Sequence, residues 1–358
     1  GGQSMAILHL ADVGKTIAID GSSRAPLGIS PTNIPKKPLL LGLSASTLPS
    51  TPAVLGYLLD TYGTMSLPEV LEPAIERARN GFPISSLQHR LIVREAKRLQ
   101  SDPICAQRFF KNGRALTARE RLLQPELAAC LEKMAKEGWE DFYRGEIAEK
   151  IIHDMQERGG LLSRVDLNRI PVPLERPVLR GRYRKFRIRT FPPPGSGRAL
   201  VAILNILENF SPDEISPDTP AGATILALSF WRALRDRDRM PFDPDIFFQA
   251  KEKPMLGEKY ARKIAGQIRI VTPSTGGEAK EGGGETTHLS VTDASGNAVS
   301  ITQSIELIFG SKRIARDLGF FYNNYMSTFN YRDMIHPHYL IPGAPPWSSV
   351  APTMVFRG

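Results

Sequence analysis

The sequence is poor in cysteine and lacks long apolar runs. Cys105 and Cys130 are the only thiols among the 358 residues, which excludes a disulfide-stapled scaffold and a cysteine-based zinc site. No uninterrupted apolar stretch reaches the roughly 20 residues that a membrane-spanning helix requires, so we expect no membrane span. Hydrophobic residues at 41% and charged residues at 23% are close to the averages of globular proteins, which excludes general disorder.

Several common catalytic patterns are also missing. The GxSxG sequence that marks the nucleophile of α/β-hydrolases does not occur. Gly14-Lys15-Thr16 resembles the end of a phosphate-binding loop, but the first glycine of that motif would fall on His9. In His336-Pro337-His338 the proline prevents presentation of both rings from one helix, and no third ligand is nearby in the sequence. We therefore predict a loop histidine pair, no metal and no cofactor.

The net charge of +9 raises the question of an anionic partner. The densest basic stretches are 180–189 and 232–239. In the first, Tyr183 and Phe186 interleave with the charges, which is typical of an amphipathic strand with one solvated face. In the second, acids alternate with bases and cancel much of the field. A nucleic-acid binder concentrates its basic residues on one helix or stripe, so we expect a solvated basic surface and no nucleic-acid partner.

Helical patterns dominate the first two-thirds of the chain, and alternating patterns dominate the last third. Two short strands are predicted at 6–10 and 16–20. Helices are predicted from Pro68 to a stop at Asn80-Gly81, from Pro125 to Gly138, and over 87–99, 147–155, 199–207 and 221–234. From Thr286 onward the period changes to two, which predicts mainly strand, with a last strand at 353–356. Both ends interrupt such patterns, so we expect the chain to be part of a longer product.

The segment most informative about function is Gly282-Gly283-Gly284-Glu285-Thr286. Three consecutive glycines are costly to order, so their position directly before a strand pattern requires a reason. One interpretation is a plain linker between two domains. The other is a self-cleavage site, in which the Thr286 hydroxyl attacks the Glu285–Thr286 bond. Cleavage would free an α-amino group with a pKa of about 7.7–8.0, which can act as general base toward the hydroxyl of its own residue.

The residues that follow resemble a known family. Thr286-Thr287-His288-Leu289-Ser290-Val291, then Gly296-Asn297-Ala298-Val299-Ser300 and Phe309-Gly310-Ser311, are similar to the small-subunit start of gamma-glutamyltransferases. Further matches follow in the family's order, among them Asp20-Gly21, Ala25-Pro26, Pro73-Ala74-Ile75, Gly159-Gly160-Leu161, Asn323-Asn324 and Trp347-Ser348-Ser349. The resemblance implies the α+β class and the four-layer αββα sandwich of N-terminal nucleophile hydrolases. It also implies a large-subunit part, 1–285, and a small-subunit part, 286–358, that together form one domain.

The resemblance assigns catalytic roles to a group of hydroxyls. Thr286 would be the nucleophile, and a threonine at the position of Ser304 hydrogen-bonds that nucleophile in the family. Thr302 shares a strand face with Ser304, so both hydroxyls are predicted to line the site. If Ser295-Gly296 forms a two-residue turn, however, Thr287 faces Ser304. The family's arrangement then requires a one-residue shift or a bulge.

The acyl-binding positions depart from the family. Its members hold the γ-glutamyl amino and carboxylate groups with an arginine, an asparagine, an acidic or glutamine residue, an aspartate and two serines. The corresponding positions here are Ser22, Glu306, Tyr325, Thr328 and the pair Ser348-Ser349. Arg24, two residues after Ser22, is the candidate carboxylate partner, since a guanidinium suits bidentate capture. Glu306, two residues beyond Ser304 on the same predicted strand, is the candidate ammonium partner.

Three functions are compatible with this pattern. The leading hypothesis is a self-processing threonine amide hydrolase or acyltransferase that acts on γ-glutamyl compounds such as glutathione. It works through an acyl-enzyme that water or an amino-acid or peptide acceptor releases. The second is a related amidase for another carboxylated amide, of oxamate-like or glutaryl/cephalosporin type, and the third is an inactive binding relative. We expect large and small subunits from one precursor. Whether such pairs form a dimer stays open, and so does the choice between a cytoplasmic and a periplasmic or secreted location.

Overall fold

A computed structural model describes residues 1–30, 39–169, 173–240, 253–270 and 286–357, so the predicted cleavage residue Glu285 lies outside the described part. The strands are β1 (Gln3–Leu10), β2 (Lys15–Gly21), β3 (Phe82–Pro83), β4 (Phe110–Lys111), β5 (Arg114–Ala115), β6 (Arg121–Leu122), β7 (Leu174–Pro177), β8 (Leu179–Tyr183), β9 (Phe186–Thr190), β10 (Thr286–Thr292), β11 (Ala298–Ser304) and β12 (Thr353–Arg357). The α-helices are α1 (Thr51–Tyr62), α2 (Leu67–Asn80), α3 (Ser86–Arg94), α4 (Ala96–Leu99), α5 (Pro103–Phe109), α6 (Pro125–Glu137), α7 (Asp141–Arg144), α8 (Glu146–Glu157), α9 (Arg164–Asn168), α10 (Gly197–Leu207), α11 (Pro220–Asp238), α12 (Lys253–Leu256) and α13 (Glu258–Ile270).

Two antiparallel sheets stack face to face. One has five strands in the order β10-β11-β1-β2-β7, and the other has three in the order β12-β9-β8. Because side chains alternate along a strand, one face of β1 presents Met5 and Ile7 toward the second sheet. There they pack with Phe191 and Met354 in a buried cluster. This buried apolar layer joins the two sheets. Strands β10 and β11 continue the same face at one edge of the larger sheet.

Helices cover the outer faces of both sheets. Ala6 and Ile19, on the outer face of the larger sheet, pack with Val54 of α1. On the other side α10 lies on β8, and the approach is so close that a Cβ at Gly181 would lie 3.1 Å from Val201. The order helix, sheet, sheet, helix is the predicted αββα sandwich of the α+β class.

The helix boundaries agree with the local signals in most places. Ser66 and Glu69 form a capping box at the start of α2, and Gly81 ends the helix with a φ of 71°. The helix predicted over 87–99 is instead two, α3 and α4, because Glu95 leaves the helical conformation at a ψ of 9°.

Among the described helices, none combines the length and apolarity needed to cross a membrane.

Two strand predictions require correction. The stretch 180–189 is a hairpin of β8 and β9 and not a single strand, because Arg184 adopts a φ of 54° and turns the chain. The last third is not mainly strand: between β11 and β12 the described backbone is largely turns and irregular segments. Asn323 stabilises that irregular region, since its side chain bonds the backbone of Thr47. Such long-range contacts between side chain and backbone leave no periodic signature.

Candidate active site

The register of the β10–β11 hairpin places Thr286 directly opposite Ser304. The same register sets His288 opposite Thr302, so each pair is shifted by one residue from the register that a two-residue turn would give. Paired residues share a sheet face, and Ser304 is in turn paired with Gln3 of β1. Gln3 and Met5 are two residues apart and share the inner face, so Thr286 and Ser304 lie on that face of the larger sheet too, with Thr286 exposed. The predicted two-residue turn is therefore wrong, and the one-residue shift that the family's arrangement requires is present.

Gly296 explains the shifted register. The amide of Asp293 donates to the carbonyl of Asn297 at 3.0 Å, which encloses three residues in the turn. Gly296 has a φ of 89°, a conformation that glycine adopts without the strain of a side chain. Three-residue hairpin loops of this kind place a residue of positive φ before the second strand. Since one extra residue in the loop moves every side chain to the other face, this glycine determines that Thr286 and not Thr287 faces inward.

Ser304 is buried among polar groups. Its hydroxyl oxygen accepts from the Glu306 amide at 3.0 Å. The Tyr325 side chain, which is 1% exposed, lies beside the side chains of Ser304 and Gln3. Burial raises the pKa of Tyr325, so this phenol stays protonated. A serine hydroxyl has one hydrogen and two acceptor positions, so Ser304 retains donor and acceptor capacity for a neighbour such as Thr286.

Glu306 lies near Tyr325, but it is not part of the strand that was predicted to carry it. Strand β11 ends at Ser304, and Glu306 has a φ of 77°, so the two do not share a strand face through simple alternation. The Glu306 carboxyl is nevertheless close enough to raise the pKa of Tyr325 electrostatically. Burial raises the pKa of Glu306 to about 7, and none of the described residues contributes a cation to this shift. A buried carboxyl of raised pKa is an environment that an incoming ammonium group would stabilise.

The serine pair lies on the opposite side of Gln3. Ser348 is 3% exposed, and its hydroxyl oxygen accepts from Gln3 Nε2 at 3.3 Å. The Gln3 Oε1 atom accepts from the Ser23 amide at 3.0 Å, which fixes the orientation of the carboxamide. Ser349, the next residue, is exposed. Gln3 therefore lies between the serine pair and the Ser304–Tyr325 side of the site, and no sequence pattern pointed to it.

His288 is a second residue that the sequence reasoning missed. Its Nδ1 atom hydrogen-bonds the Thr302 hydroxyl at 2.8 Å, and its Nε2 atom hydrogen-bonds the Ser290 hydroxyl at 3.1 Å. Thr302 is thus engaged with His288, two residues along the hairpin from the Thr286–Ser304 pair, and is not the cross-strand neighbour of Thr286. The available signal was the alternation of Thr286, His288 and Ser290 along one strand face.

Arg24 does not line the cavity that contains Thr286. It forms a bridge with Leu48 and borders a separate cavity of about 360 Å³ together with Asp166 and Arg169. The bridge fixes the backbone of Arg24, and the carbonyl of Arg24 accepts from the Leu48 amide at 2.9 Å. The predicted role of Arg24 as a carboxylate partner therefore stays a prediction.

An apolar cavity of about 380 Å³ borders the start of β10. Thr286 and Thr287 line it, together with side chains from the α3–α5 region and from the segment after β11. The apolar lining residues are Phe82, Ile84, Leu91, Ile92, Phe109, Leu122, Ile305, Leu307, Ile308, Phe309 and Phe321. Thr286 therefore lies between a polar network on the inner face and an apolar space beside it.

The sandwich and this site together define a class. Two stacked antiparallel sheets between helical layers are the architecture of N-terminal nucleophile hydrolases. A family model for gamma-glutamyltranspeptidase matches residues 1–358. The chain belongs to the gamma-glutamyltranspeptidase family.

Individual relatives agree with this assignment. The chain is 34% identical over 316 residues to the glutathione hydrolase proenzyme of Escherichia coli, covering 84% of this chain and 54% of the relative. It is 32% identical over 307 residues to the acylase ACY 1 proenzyme of a Pseudomonas species, covering 84% of this chain and 54% of that one. The cephalosporin acylase structure from Bacillus halodurans superposes with a TM-score of 0.87 at 24% identity, covering 100% of this chain and 66% of that chain, which supports the fold. The chain spans about half the length of the curated relatives it matches.

Proposed function

We propose that this protein is a self-processing amide hydrolase or acyltransferase in which Thr286 is the nucleophile. The observation that carries the proposal is the pairing of Thr286 with Ser304 on the inner sheet face, beside Tyr325 and Gln3. In the processing step the Thr286 hydroxyl attacks the carbonyl carbon of Glu285. The peptide C–N bond breaks to give an ester and a free α-amino group, and water then hydrolyses the ester. The products are the parts 1–285 and 286–358.

The amidase reaction would reuse the same atoms. The freed α-amino group of Thr286 accepts the proton of its hydroxyl as the oxygen attacks the donor amide. The amine leaves with that proton, and an acyl-enzyme ester remains on the threonine oxygen. Water gives hydrolysis, and an amino-acid or peptide amine gives transfer. We expect Ser304, whose oxygen already accepts a hydrogen bond from the Glu306 amide, to hydrogen-bond the Thr286 oxygen.

Intact-mass measurement tests the nucleophile assignment. The wild type should separate into two chains with the break between Glu285 and Thr286, and Thr286→Ala should remain whole. Thr287→Ala is the matched control, because its side chain lies on the opposite strand face and its removal should leave cleavage unchanged. If Thr287→Ala blocked cleavage and Thr286→Ala did not, the assignment would be off by one residue. A wild type that stays whole would favour an inactive binding relative.

The acyl donor we propose is a γ-glutamyl amide, with Glu306 as the ammonium partner. Ser348 supports the carboxylate end: its oxygen accepts from Gln3 and from the Val350 amide, so its hydrogen remains for a ligand acceptor. A carboxylate offers acceptors only, which fits that hydrogen and the exposed hydroxyl of Ser349. We therefore assign the carboxylate to this pair.

A second candidate is an amidase for a carboxylated donor that has no amine, and one relative carries the name acylase. The apolar cavity beside Thr286 favours it, since such a space suits an apolar leaving or acyl group. Three 4-nitroanilides separate the candidates: γ-glutamyl carries amine and carboxylate, glutaryl lacks the amine, and 4-aminobutanoyl lacks the carboxylate. Preference for γ-glutamyl supports the first candidate, and preference for glutaryl supports the second. Addition of a dipeptide acceptor then distinguishes transfer from hydrolysis.

A further inference from the structure

Arg237, near the end of α11, is buried although it carries a charge. Its side chain is 8% exposed, and burial lowers its pKa from the ordinary value. Buried arginines are retained where their hydrogen-bond donors have defined partners. Here Nη2 contacts Asp238 Oδ1 at 2.8 Å, and the guanidinium stacks over the Trp347 ring with 4.4 Å to the centroid. The remaining end, Nη1, donates to the Ser196 hydroxyl at 2.5 Å.

The contact with Ser196 determines which way that hydroxyl points. An arginine only donates hydrogen bonds, so Ser196 Oγ must accept from Arg237 and direct its own hydrogen elsewhere. That hydrogen goes to the carbonyl oxygen of Ser348 at 2.7 Å. The Ser196 amide also donates to the Val350 carbonyl at 2.8 Å. One buried serine therefore holds the backbone on both sides of Ser349.

Arg237 thus acts on the segment 347–350 directly, by stacking on Trp347, and indirectly, by orienting Ser196. In the same segment, the side chain of Ser348 accepts a hydrogen bond from Gln3. Backbone contacts on one side and the Gln3 contact on the other leave Ser348 little freedom, although the segment has no regular secondary structure. Charge-assisted hydrogen bonds of this kind are shorter and stronger than neutral ones, so they are suited to fix an irregular loop.

We propose that Arg237 is a positioning residue for the Ser348–Ser349 pair and sets the affinity for the donor's carboxylate without touching the donor. The proposal rests on the proposed function, in which that pair holds the carboxylate. Loss of the Arg237 guanidinium would let the segment 347–350 move relative to Gln3. Donors that carry the carboxylate should then bind more weakly, and donors without it should be unaffected.

The test compares Arg237→Met with Arg235→Met as matched control. Arg235 lies on the same helix and also stacks on a tryptophan, Trp231 at 4.5 Å, so its substitution removes the same charge and a similar contact away from the site. For γ-glutamyl and glutaryl 4-nitroanilide, Arg237→Met should raise KM about 10- to 100-fold with little change in kcat. For 4-aminobutanoyl 4-nitroanilide KM should stay unchanged, and Arg237→Lys should restore part of the loss. Ser196→Ala, a smaller change in the same contact, should reproduce the pattern.

A second readout needs no substrate. Amide hydrogen exchange of the peptide covering 347–352 should be faster in Arg237→Met and in Ser196→Ala than in the wild type, and unchanged in Arg235→Met. Equal KM increases for all three donors, or unchanged exchange in 347–352, would overturn the positioning role. A wild type without activity on any donor would instead refute the proposed function, while the exchange measurement still decides whether Arg237 orders the loop.

Discussion

Replacing Glu306 by Gln should stabilise the protein at neutral and alkaline pH while impairing its reaction with amine-bearing donors. Burial raises the pKa of Glu306 from 4.5 to about 7, so the folded protein binds this proton more tightly than the unfolded chain. The resulting stability is fully present below pH 4.5 and is lost as the pH rises to 7. Each tenfold in proton affinity corresponds to about 1.4 kcal/mol, so an ionised Glu306 costs about 3 kcal/mol.

Glutamine cannot ionise, and it has nearly the same shape as glutamate. Glu306→Gln should therefore match the wild type near pH 4.5 and exceed its free energy of unfolding by up to about 3 kcal/mol above pH 7. Urea denaturation at several pH values between 4.5 and 8.5 measures this difference. Glu76→Gln, at an exposed position of α2, makes the same chemical change without burial and should show no comparable trend. A difference that does not vary with pH would refute the reasoning.

Ionisation of Glu306 lowers the stability of the protein but should increase its activity on amine-bearing donors. A substrate ammonium binds the ionised carboxylate, so kcat/KM for γ-glutamyl 4-nitroanilide should rise with pH through about 7 in the wild type. Glu306→Gln should remove this rise and lower kcat/KM by about 10- to 100-fold, because a hydrogen bond to a charged group contributes about 1.5–3 kcal/mol. For the glutaryl donor, kcat/KM should depend on the titration of the Thr286 amino group but not on that of Glu306. Glu306→Gln should therefore leave kcat/KM for this donor unchanged. Equal losses for both donors would show that Glu306 has a structural role only.

Two further predictions concern charged groups away from the site. Arg158 contacts the buried carboxylates of Asp102 at 2.5 Å and Asp154 at 3.0 Å, so Arg158→Met should cost about 3–5 kcal/mol in urea denaturation. Arg164→Met, at a side chain that is 39% exposed, should cost less than about 1 kcal/mol, and a similar small loss at Arg158 would contradict the argument. Arg182 faces Arg187 across the β8–β9 hairpin, as Arg180 faces Arg189, and like charges in such pairs destabilise a sheet. Arg182→Glu should therefore stabilise the protein by about 0.2–1 kcal/mol at low salt, a gain that should shrink at high ionic strength and that a salt-independent effect would refute.

Elements with their own start and stop signals could be predicted from the sequence. Helix α6 begins at Pro125 and ends before Gly138, as expected, because both residues restrict the backbone locally. Helix α2 follows its capping residues for the same reason. The αββα fold and the identity of Thr286 as candidate nucleophile came from the order of motifs along nearly the whole chain. These features depend on residues close together in sequence or on their order.

The geometry of the candidate site depended on the tertiary structure. The hairpin register was decided by one glycine conformation, since Asp293 to Asn297 is compatible with a two- or a three-residue turn until Gly296 adopts positive φ. The contacts of Gln3 and Arg237 are with residues 345 and 41 positions away, Ser348 and Ser196. Such contacts arise when the two sheets stack and when α11 packs on α10, and no spacing within a single segment encodes them. Burial is equally non-local, which is why the raised pKa of Glu306 follows from the packing around it and not from its neighbours in the chain.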